Sequence, residues 1–426
     1  MKLIFFNNLK ILYIIIFLCI SQVICNDNLK ILQITDIHYD PNYLENSPAT
    51  CFPDYGLRCC NKYSISIPPH RKAGKYGDFN CDTSILFINE TFKWISENID
   101  FDVLLWTGDT VGHHDLSQST EDNIKVIKEI TDLIDFWFYR GTFGKLVVPV
   151  IGNHDTFPVD NMRSNFSETQ VGQKLNEYWK EWIKDGEIYD NFLEGGYYEY
   201  KIKESNVTFL VLNMLYFDNN NLMERLDVFS EEPTKQLQWL TKKLQNEGKN
   251  VWIIGHIDPE DTTSNFTRDF PGIVEKYDNI KGTIWGHTHH DSFFLLGNKS
   301  FGLITSSLMA DSVYPGFRVY EMNRRSGEMV NWVNYYNKLT KDNEEGIFNG
   351  YEESYNFLEY YEVDSYGYKN NYFFNLLEKL AGEMNDDREL FDKYYKKYYS
   401  NYYNSGNITS LCDDDCWKQM ISDIRY

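Results

Sequence analysis

Basic side chains are scarce in this sequence. Its 426 residues carry 41 lysine and arginine side chains against 63 aspartate and glutamate side chains, giving a formal net charge of −22. Binding to a nucleic-acid backbone requires clustered lysine and arginine, so the composition argues against that function. The same balance argues against general adhesion to anionic membranes. Its simplest consequence is solubility, including in an acidic compartment where many carboxylates become protonated.

Long apolar runs are also scarce, because only the first 25 residues contain one. A basic start is followed by an almost unbroken apolar stretch over 11–20, and Val23 and Cys25 occupy the −3 and −1 positions of a cleavage site. This pattern predicts a signal peptide over residues 1–25. The alternative is an uncleaved signal anchor, although the run is short for a bilayer span. No later segment is apolar enough to cross a membrane, so we expect a secreted chain, extracellular or lysosomal.

Cysteine pairs at the C-x-x-C spacing of a structural zinc site are absent. Two of the eight cysteines fall within the first 25 residues, and the other six form two groups. These six are Cys51, Cys59, Cys60, Cys81, Cys412 and Cys416. An even number of cysteines in an exported chain indicates a disulfide framework, whose pairing the sequence alone leaves open.

Six Asn-x-Ser/Thr sequons without a central proline agree with export and are candidate glycosylation sites. They lie at Asn89, Asn165, Asn206, Asn265, Asn298 and Asn407.

Short β-rich apolar runs alternate with longer amphipathic stretches from residue 30 to about residue 333. The predicted strands are 31–35, 103–107, 146–151, 208–213, 251–254, 283–285, 292–296, 302–306 and 317–321. The predicted helices are 83–98, 121–138, 173–184 and 234–245. The alternation indicates a mixed α/β domain over 28–334 whose strands end in polar loops.

Tyrosine marks the remaining region, 335–426, which contains 16 of the 32 tyrosines. Helices are predicted at 371–384 and 388–403. We interpret this region as a mainly helical, aromatic-rich appendage that packs on the main domain. A surface that contacts lipid or sugar is the alternative, because tyrosine is amphipathic and common where one end of the ring stays wet.

Histidine is rare too, but eight of the nine histidines fall in five short windows. The windows are Asp36-Ile37-His38, Gly108-Asp109 with His113 and His114, Gly152-Asn153-His154-Asp155, Gly255-His256, and Gly286-His287-Thr288-His289-His290. Four windows directly follow a predicted buried strand, and the first lies at the end of one. Loops at the carboxyl ends of strands converge in an α/β sheet, and imidazole with carboxylate suits zinc or a similar divalent ion.

The spacing within the windows supports a shared metal site. Residues two apart in an extended segment project to the same side, so Asp36 and His38 can face one ion, as can His287 and His289. Any single window has a simpler explanation as a solvated loop or a buried, hydrogen-bonded histidine. The coincidence of all five favours the metal site.

The ordered set D-x-H, G-D, G-N-H-D, G-H and G-H-T-H resembles the signature of calcineurin-like metallophosphoesterases, and it spans Asp36 to His289. A closer resemblance is to acid sphingomyelinase and the acid-sphingomyelinase-like phosphodiesterases. The residues that carry it are Ile34-Thr35-Asp36-Ile37-His38 with Asp40-Pro41, Trp106-Thr107-Gly108-Asp109 with His113, Gly195-Gly196-Tyr197-Tyr198, Gln238-Trp239-Leu240, Ile253-Ile254-Gly255-His256, and both cysteine groups.

This resemblance implies a two-sheet β-sandwich flanked by helices, with two zinc ions or another divalent transition metal. One ion would be held by Asp36, His38, Asp109 and His289, and the other by Asp109, Asn153, His256 and His287, with Asp109 bridging. His113 and His154 are implied as the catalytic histidines, and His114 is the register alternative to His113. The implied disulfides are Cys51–Cys59, Cys60–Cys81 and Cys412–Cys416.

The implied activity is hydrolysis of sphingomyelin to ceramide and phosphocholine, by two-metal attack of hydroxide on phosphorus while a histidine protonates the leaving alkoxide. One alternative keeps the chemistry but acts on nucleotides or other small soluble phosphate esters. A second alternative is an inactive secreted binding module, which is disfavoured because all seven ligand positions keep suitable side chains. We expect no nucleic-acid partner, at most transient membrane-surface contact, and a monomer.

Two departures from the family pattern bear on the substrate. We expect no saposin domain of the kind that precedes the catalytic domain of acid sphingomyelinase, since the first predicted strand follows the predicted cleavage site almost at once. This departure favours small soluble substrates. The second departure is Ile257-Asp258-Pro259-Glu260, where relatives carry a more apolar loop after the ligand histidine. Acidic groups beside the metals are expected to alter substrate preference or pH dependence.

Overall fold

The structure is a computed structural model that describes residues 28–52, 58–113, 118–141, 144–163, 165–184, 186–222, 231–245, 250–311, 313–362, 372–398 and 412–424. The predicted signal peptide, His114 and Asn407 lie outside these residues. No helix in the described ranges combines the length and apolar character needed to span a membrane.

Twelve strands of the described chain form two six-stranded mixed sheets. The first has the order β12-β11-β10-β1-β2-β3 and the second β4-β5-β6-β7-β9-β8. The strands of the first sheet are β1 Asn28–Ile34, β2 Val103–Trp106, β3 Leu146–Pro149, β10 Gly316–Asn323, β11 Met329–Asn337 and β12 Tyr351–Asn356. Those of the second are β4 Tyr198–Lys201, β5 Val207–Val211, β6 Asn250–Ile254, β7 Ile280–Trp285, β8 Ser292–Leu296 and β9 Ser300–Ile304. The nine predicted strands all exist, and they are short, buried apolar runs as their composition requires.

The longer helices are amphipathic, and several begin at a side-chain cap. Ser84, Ser119 and Thr169 each accept a backbone N–H from the first turn that follows them, which satisfies one of the free donors at a helix start. The helices are α1 Ile85–Asn98, α2 Thr120–Ile134, α3 Gln170–Trp179, α4 Gly186–Gly195, α5 Glu232–Leu244, α6 Ser264–Lys276, α7 Leu339–Glu345, α8 Phe357–Tyr360, α9 Tyr372–Asp386, α10 Arg388–Tyr398 and α11 Asp414–Ile424. The two-sheet sandwich with flanking helices is therefore confirmed.

Beyond residue 334 the structure is less purely helical than the composition suggested. Strand β11 runs across that position, and β12 pairs with it in antiparallel register, so the first sheet continues into the tyrosine-rich region. Cross-strand pairing decides this, and no local pattern in the sequence marks it. The helices that follow pack on the main domain, since α9 contacts β8 and β9 and α11 contacts β8. Many of the region's tyrosines, including Tyr355, Tyr361 and Tyr394, are buried there.

One buried polar contact joins the two sheets where the histidine windows begin. The side chain of Gln33 on β1 donates from Nε2 to the carbonyl oxygen of Trp285 at 2.8 Å and accepts a hydrogen bond from Tyr320 at 2.6 Å. Trp285 ends β7 and precedes the window with His287, whereas Gln33 lies just before Asp36. The contact therefore fixes the ends of β1 and β7 relative to each other.

Candidate metal centre

Five parallel strands deliver the predicted ligands to one place. Strands β1, β2 and β3 lie side by side in parallel, as do β6 and β7 in the other sheet, and the ligands follow their carboxyl ends. The structure brings all seven predicted ligands together: Asp36, His38, Asp109, Asn153, His256, His287 and His289. Sheet topology alone achieves this, because the windows are distant in sequence.

The ligands form two clusters. In the first, atoms of Asp36, His38 and His289 lie within 4.8 Å of one another; in the second, the same holds for Asp109, His256 and His287. Asp109 Oδ2 lies 3.2 Å from His256 Nε2 and 3.6 Å from His38 Nε2, so one carboxylate reaches both clusters.

The amide of Asn153 completes the second cluster. Its Nδ2 donates to Asp160 at 2.8 Å, which turns Oδ1 toward the imidazoles. That oxygen lies 2.9 Å from His256 Nε2 and 3.1 Å from His287 Nδ1. The amide oxygen, a suitable metal ligand, therefore faces the site because a carboxylate holds the opposite end of the amide.

Backbone carbonyls set the tautomers of two imidazoles. His38 Nδ1 donates to the carbonyl oxygen of Val111 at 3.0 Å, and His256 Nδ1 donates to that of Thr107 at 2.7 Å. A carbonyl can only accept, so Nδ1 carries the proton in each ring. When either ring is neutral, its Nε2 lone pair points into the cluster, which is the arrangement that metal-bound histidines adopt.

The donor set fits divalent cations. Asp36 Oδ2 accepts hydrogen bonds from Thr35 and from the backbone of His287, but Asp36 Oδ1 is buried without a hydrogen-bond partner. That oxygen lies 3.4 Å from His289 Nε2, and His289 Nε2 lies 3.1 Å from His38 Nε2. A buried carboxylate oxygen among convergent imidazole nitrogens is costly unless a cation or proton neutralises it.

The carboxylates of the cluster also favour positive charge at this site. Burial opposes protonation of His256, but the carboxylates of Asp109 and Asp36 raise its pKa to about 10. Burial is likewise outweighed at His289, where Asp36 and Asp311 raise the pKa to about 9. The carboxylates therefore attract positive charge to this place, and a divalent ion satisfies the same demand while releasing the protons.

Strained backbone accompanies the ligands. Positive φ angles, which L-residues with side chains avoid, occur at Asp36 (50°), His38 (44°), Asp109 (53°), His287 (74°) and His289 (65°). Each such residue costs roughly 1–3 kcal/mol and persists only where the surroundings enforce it. Gly152 permits the closest approach, because a Cβ there would lie 2.1 Å from the backbone nitrogen of Asp109.

The two predicted catalytic histidines lie on the more open side of the first cluster. His113 and His154 each place a ring nitrogen within 4.8 Å of one from His38, and the His113 ring stacks on that of His38 with centroids 4.1 Å apart. The side chain of His113 is 19% exposed, whereas that of His38 is fully buried. The backbone N–H of His154 donates to Asp109 Oδ1 at 2.9 Å, and burial lowers the pKa of its imidazole to about 4.

Several supporting residues have a role that the sequence did not predict. Asp82 accepts hydrogen bonds from His113, and Asp155 accepts from the backbone of Gly152 and Thr110. Their position beside Cys81 and His154 was the available signal. Asp311 lies 3.5 Å from His289 Nδ1 and is held by two hydrogen bonds from Arg58. No sequence pattern pairs residues 253 positions apart.

The structure contains the three disulfides that the resemblance implied, Cys51–Cys59, Cys60–Cys81 and Cys412–Cys416. The first two close the loop that carries Arg58 and precedes Asp82. They therefore cross-link the segment that begins at Arg58 and ends next to Asp82.

Comparison with known proteins agrees with this geometry. Residues 29–291 match the calcineurin-like phosphoesterase family, and residues 292–426 match the acid sphingomyelin phosphodiesterase C-terminal region. Sphingomyelin phosphodiesterase B of Dictyostelium discoideum is 29% identical over 75% of this chain and 52% of its own length. Sphingomyelin phosphodiesterase A of the same organism is 26% identical over 94% of this chain and 67% of its own length.

Human cyclic GMP-AMP phosphodiesterase SMPDL3A is 28% identical over 74% of this chain and 71% of its own length. The chain thus spans about half to two thirds of the length of sphingomyelin phosphodiesterases B and A and of the sphingomyelin phosphodiesterase of Bos taurus. Since one family model covers more than half of the sequence and includes every predicted ligand, this chain belongs to the calcineurin-like phosphoesterase family.

Proposed function

We propose that this chain is a secreted, zinc-dependent phosphodiesterase that hydrolyses sphingomyelin to ceramide and phosphocholine. The observation that carries the proposal is the pair of ligand clusters joined by Asp109. Asp36, His38, Asp109 and His289 would hold one ion, and Asp109, Asn153, His256 and His287 the other. Nitrogen and oxygen donors of this kind suit zinc.

Two bound divalent ions supply charge neutralisation at the phosphoryl oxygens and activation of a water molecule. The chain itself then has to orient the phosphodiester and protonate the leaving oxygen. We assign the proton donation to His113, because the Asp82 carboxylate accepts its Nδ1–H at 2.7 Å and leaves Nε2 as the nitrogen that can act on the substrate. His154 borders the same space with a ring of low pKa, so we assign it to hydrogen bonding of the phosphoryl group.

A cavity next to the second cluster favours a substrate with a cationic head group. It has a volume of about 260 Å³ and is lined by Asp258, Glu260, Asp261 and Asp423 together with aromatic residues of β8 and α10. Asp261 Oδ2 lies 3.9 Å from His287 Nε2, so the cavity adjoins the metal centre. None of the described residues that line it is basic. Carboxylates and aromatic rings attract a quaternary ammonium such as choline and repel an anionic nucleotide.

Export is part of the proposal. It is supported by the disulfides and by the exposed position of the sequon asparagines Asn165, Asn206, Asn265 and Asn298. Asn89 is less accessible, since its side chain accepts a hydrogen bond from Trp137. We propose glycosylation at the four exposed positions, which peptide mapping after enzymatic deglycosylation in ¹⁸O-labelled water will test.

The second candidate function is hydrolysis of nucleotide phosphodiesters. It is favoured by the likeness to cyclic GMP-AMP phosphodiesterase, whose length this chain covers better than that of the sphingomyelin phosphodiesterases B and A.

Parallel assays of the zinc-loaded protein separate the two candidates. Substrates are sphingomyelin in mixed micelles, cyclic GMP-AMP, and bis-nitrophenyl phosphate as a reference for the shared chemistry. We expect phosphocholine release, and a raised KM for sphingomyelin in Glu260→Gln/Asp423→Asn, with no change on the reference substrate. Asp269→Asn/Asp278→Asn is the matched control, since both residues are exposed on α6 and the turn after it. Hydrolysis of cyclic GMP-AMP without phosphocholine release would establish the second candidate instead.

A further inference from the structure

One segment of this acidic protein has the opposite charge. Residues 58–77 contain five lysine and arginine residues and no aspartate or glutamate, in a chain of net charge −22. Two of the five are engaged in ion pairs within the protein, Arg58 with Asp311 and Arg71 with Asp78. Lys62 and Lys72 are exposed. The segment therefore presents a local cationic surface that the net charge conceals.

The same part of the fold exposes large apolar side chains. Among the described residues, seven large hydrophobic side chains are exposed, and four of them lie between positions 44 and 65. These are Leu44 (50%), Phe52 (65%), Tyr63 (68%) and Ile65 (71%). We call residues 42–52 and 58–81 the disulfide loop. More than half of the exposed apolar side chains thus belong to one short stretch of chain.

Backbone contacts bring these side chains together. The N–H of Phe52 donates to the carbonyl oxygen of Ile65 at 3.1 Å, and that of Leu44 donates to Cys60 at 2.8 Å. Lys62 Nζ lies 4.8 Å from the centre of the Tyr63 ring. Phe52 is therefore paired with Ile65, and a cationic group lies beside the Tyr63 ring in the same loop. Glu45 is the exposed acidic residue beside Leu44.

The disulfide loop cannot bury these side chains itself. Its interior is filled by a small cluster of its own, in which the four cysteines pack with Ala49 and Ala73. Two disulfides cross-link that interior. A large apolar side chain left in water forgoes the favourable free energy of burial. The exposed residues are thus held outward and gain from contact with another apolar phase.

The disulfide loop is also connected to the metal centre. Arg58 holds Asp311 against His289, and Asp82, which directly follows the loop, holds His113. The segment 58–81 thus begins and ends next to residues of the site where a lipid head group is to be hydrolysed.

We propose that the disulfide loop docks the protein on a lipid bilayer that contains anionic lipids. Tyr63, Ile65 and Phe52 insert at the head-group level, and Lys62 and Lys72 contact lipid phosphates. Aromatic and aliphatic side chains flanked by lysine are the combination that binds such interfaces. The inference deepens the proposed action on a lipid substrate, but the binding step requires no catalysis.

Sedimentation of the full zinc-loaded protein with vesicles tests this. Vesicles of phosphatidylcholine alone are compared with vesicles containing one part in four phosphatidylserine, at low and high salt. We expect binding to the anionic vesicles that weakens with salt. Tyr63→Ser/Ile65→Ser and Lys62→Glu/Lys72→Glu should each lower the partition coefficient by roughly tenfold or more. The matched controls Leu222→Ser/Ile347→Ser and Lys125→Glu/Lys184→Glu, exposed residues outside the loop, should bind as the native protein does.

The experiment distinguishes failure of the docking proposal from failure of the proposed function. Hydrolysis of bis-nitrophenyl phosphate at the native rate shows that a variant is folded. If Tyr63→Ser/Ile65→Ser misfolds, Lys62→Glu/Lys72→Glu still tests the proposal. Vesicle binding without sphingomyelin hydrolysis would contradict the proposed substrate and leave the docking surface standing. Absence of vesicle binding by the native protein, or equal loss in loop and control variants, would overturn the docking proposal.

Discussion

Asp82 holds His113 with both oxygens of one carboxylate. Oδ1 accepts the ring Nδ1–H at 2.7 Å and Oδ2 accepts the backbone N–H at 2.8 Å, with Asp82 itself buried. The pairing fixes the orientation and tautomer of the ring, so that Nε2 is the nitrogen left for a substrate. Catalytic histidines supported by a carboxylate behave in this way in other hydrolases.

Asp82→Asn is expected to lower kcat by roughly 10²-fold or more, because an amide no longer fixes the tautomer and orientation of His113 that proton donation requires. Bound zinc should stay at the native amount. The loss in kcat should be smaller for bis-nitrophenyl phosphate, because nitrophenolate leaves without being protonated. Comparing the loss in kcat between the two leaving groups is the decisive measurement. An equal loss on all substrates, or loss of zinc, would assign Asp82 to structure instead.

Metal removal should destabilise the fold as well as stop the reaction. The buried carboxylates of Asp36 and Asp109 lose their neutralising charge when the ions leave. We expect a chelator to lower Tm and zinc to restore it, with about 2.7 kcal/mol of stabilisation at free zinc a hundredfold above Kd. Asp109→Asn should abolish the zinc-dependent rise in Tm, whereas the exposed control Asp269→Asn should retain it. An unchanged response in Asp109→Asn would contradict the bridging role.

Arg58→Ala is expected to weaken zinc binding by roughly 10–100-fold, because Asp311 loses the partner that holds it against His289. Arg71→Ala is a matched control, since Arg71 pairs with Asp78 in the same disulfide loop. Competition titration with a chromophoric chelator measures both. Equal affinities in the two variants would show that the chain from Arg58 to His289 does not act on the metal.

The contribution of one buried carboxyl group, that of Asp218, to the stability of the protein should fall as the pH rises. Burial, with a smaller contribution from Asp160, raises the pKa of Asp218 from 3.8 to about 7. A raised folded-state pKa means that the contribution to stability is complete below pH about 4 and is lost as pH rises through about 7. Asp218→Asn keeps an oxygen for the Asn220 N–H but does not titrate. Urea denaturation should show that Asp218→Asn raises the free energy of unfolding more at pH 8 than at pH 5. A change in the free energy of unfolding that is the same at both pH values would refute the raised pKa of Asp218.

Local pattern was enough to predict most elements. Buried strands such as 251–254 and 292–296 are short apolar runs next to polar turns, and the observed strands differ from them by at most a few residues. Elements with weaker local signals escaped prediction. Strand β12, Tyr351–Asn356, is polar at several positions and forms because β11 offers it an edge. Helix α6, Ser264–Lys276, contains an internal proline that lowers its helical signal.

The sequence by itself determined the chemistry available to this protein: seven ligand-type side chains at the ends of apolar strands, in the order of one enzyme family. These residues could be found from the sequence because each ligand-type side chain is adjacent in sequence to the strand that it follows. Only the tertiary structure decided which other side chains hold the histidines of the site in place. Asp82, Asp311 and Arg58 reach the metal centre across long sequence separations, and the cationic, apolar disulfide loop stands apart from the acidic remainder. These relationships depend on which surfaces fold against each other, a property that no local pattern encodes.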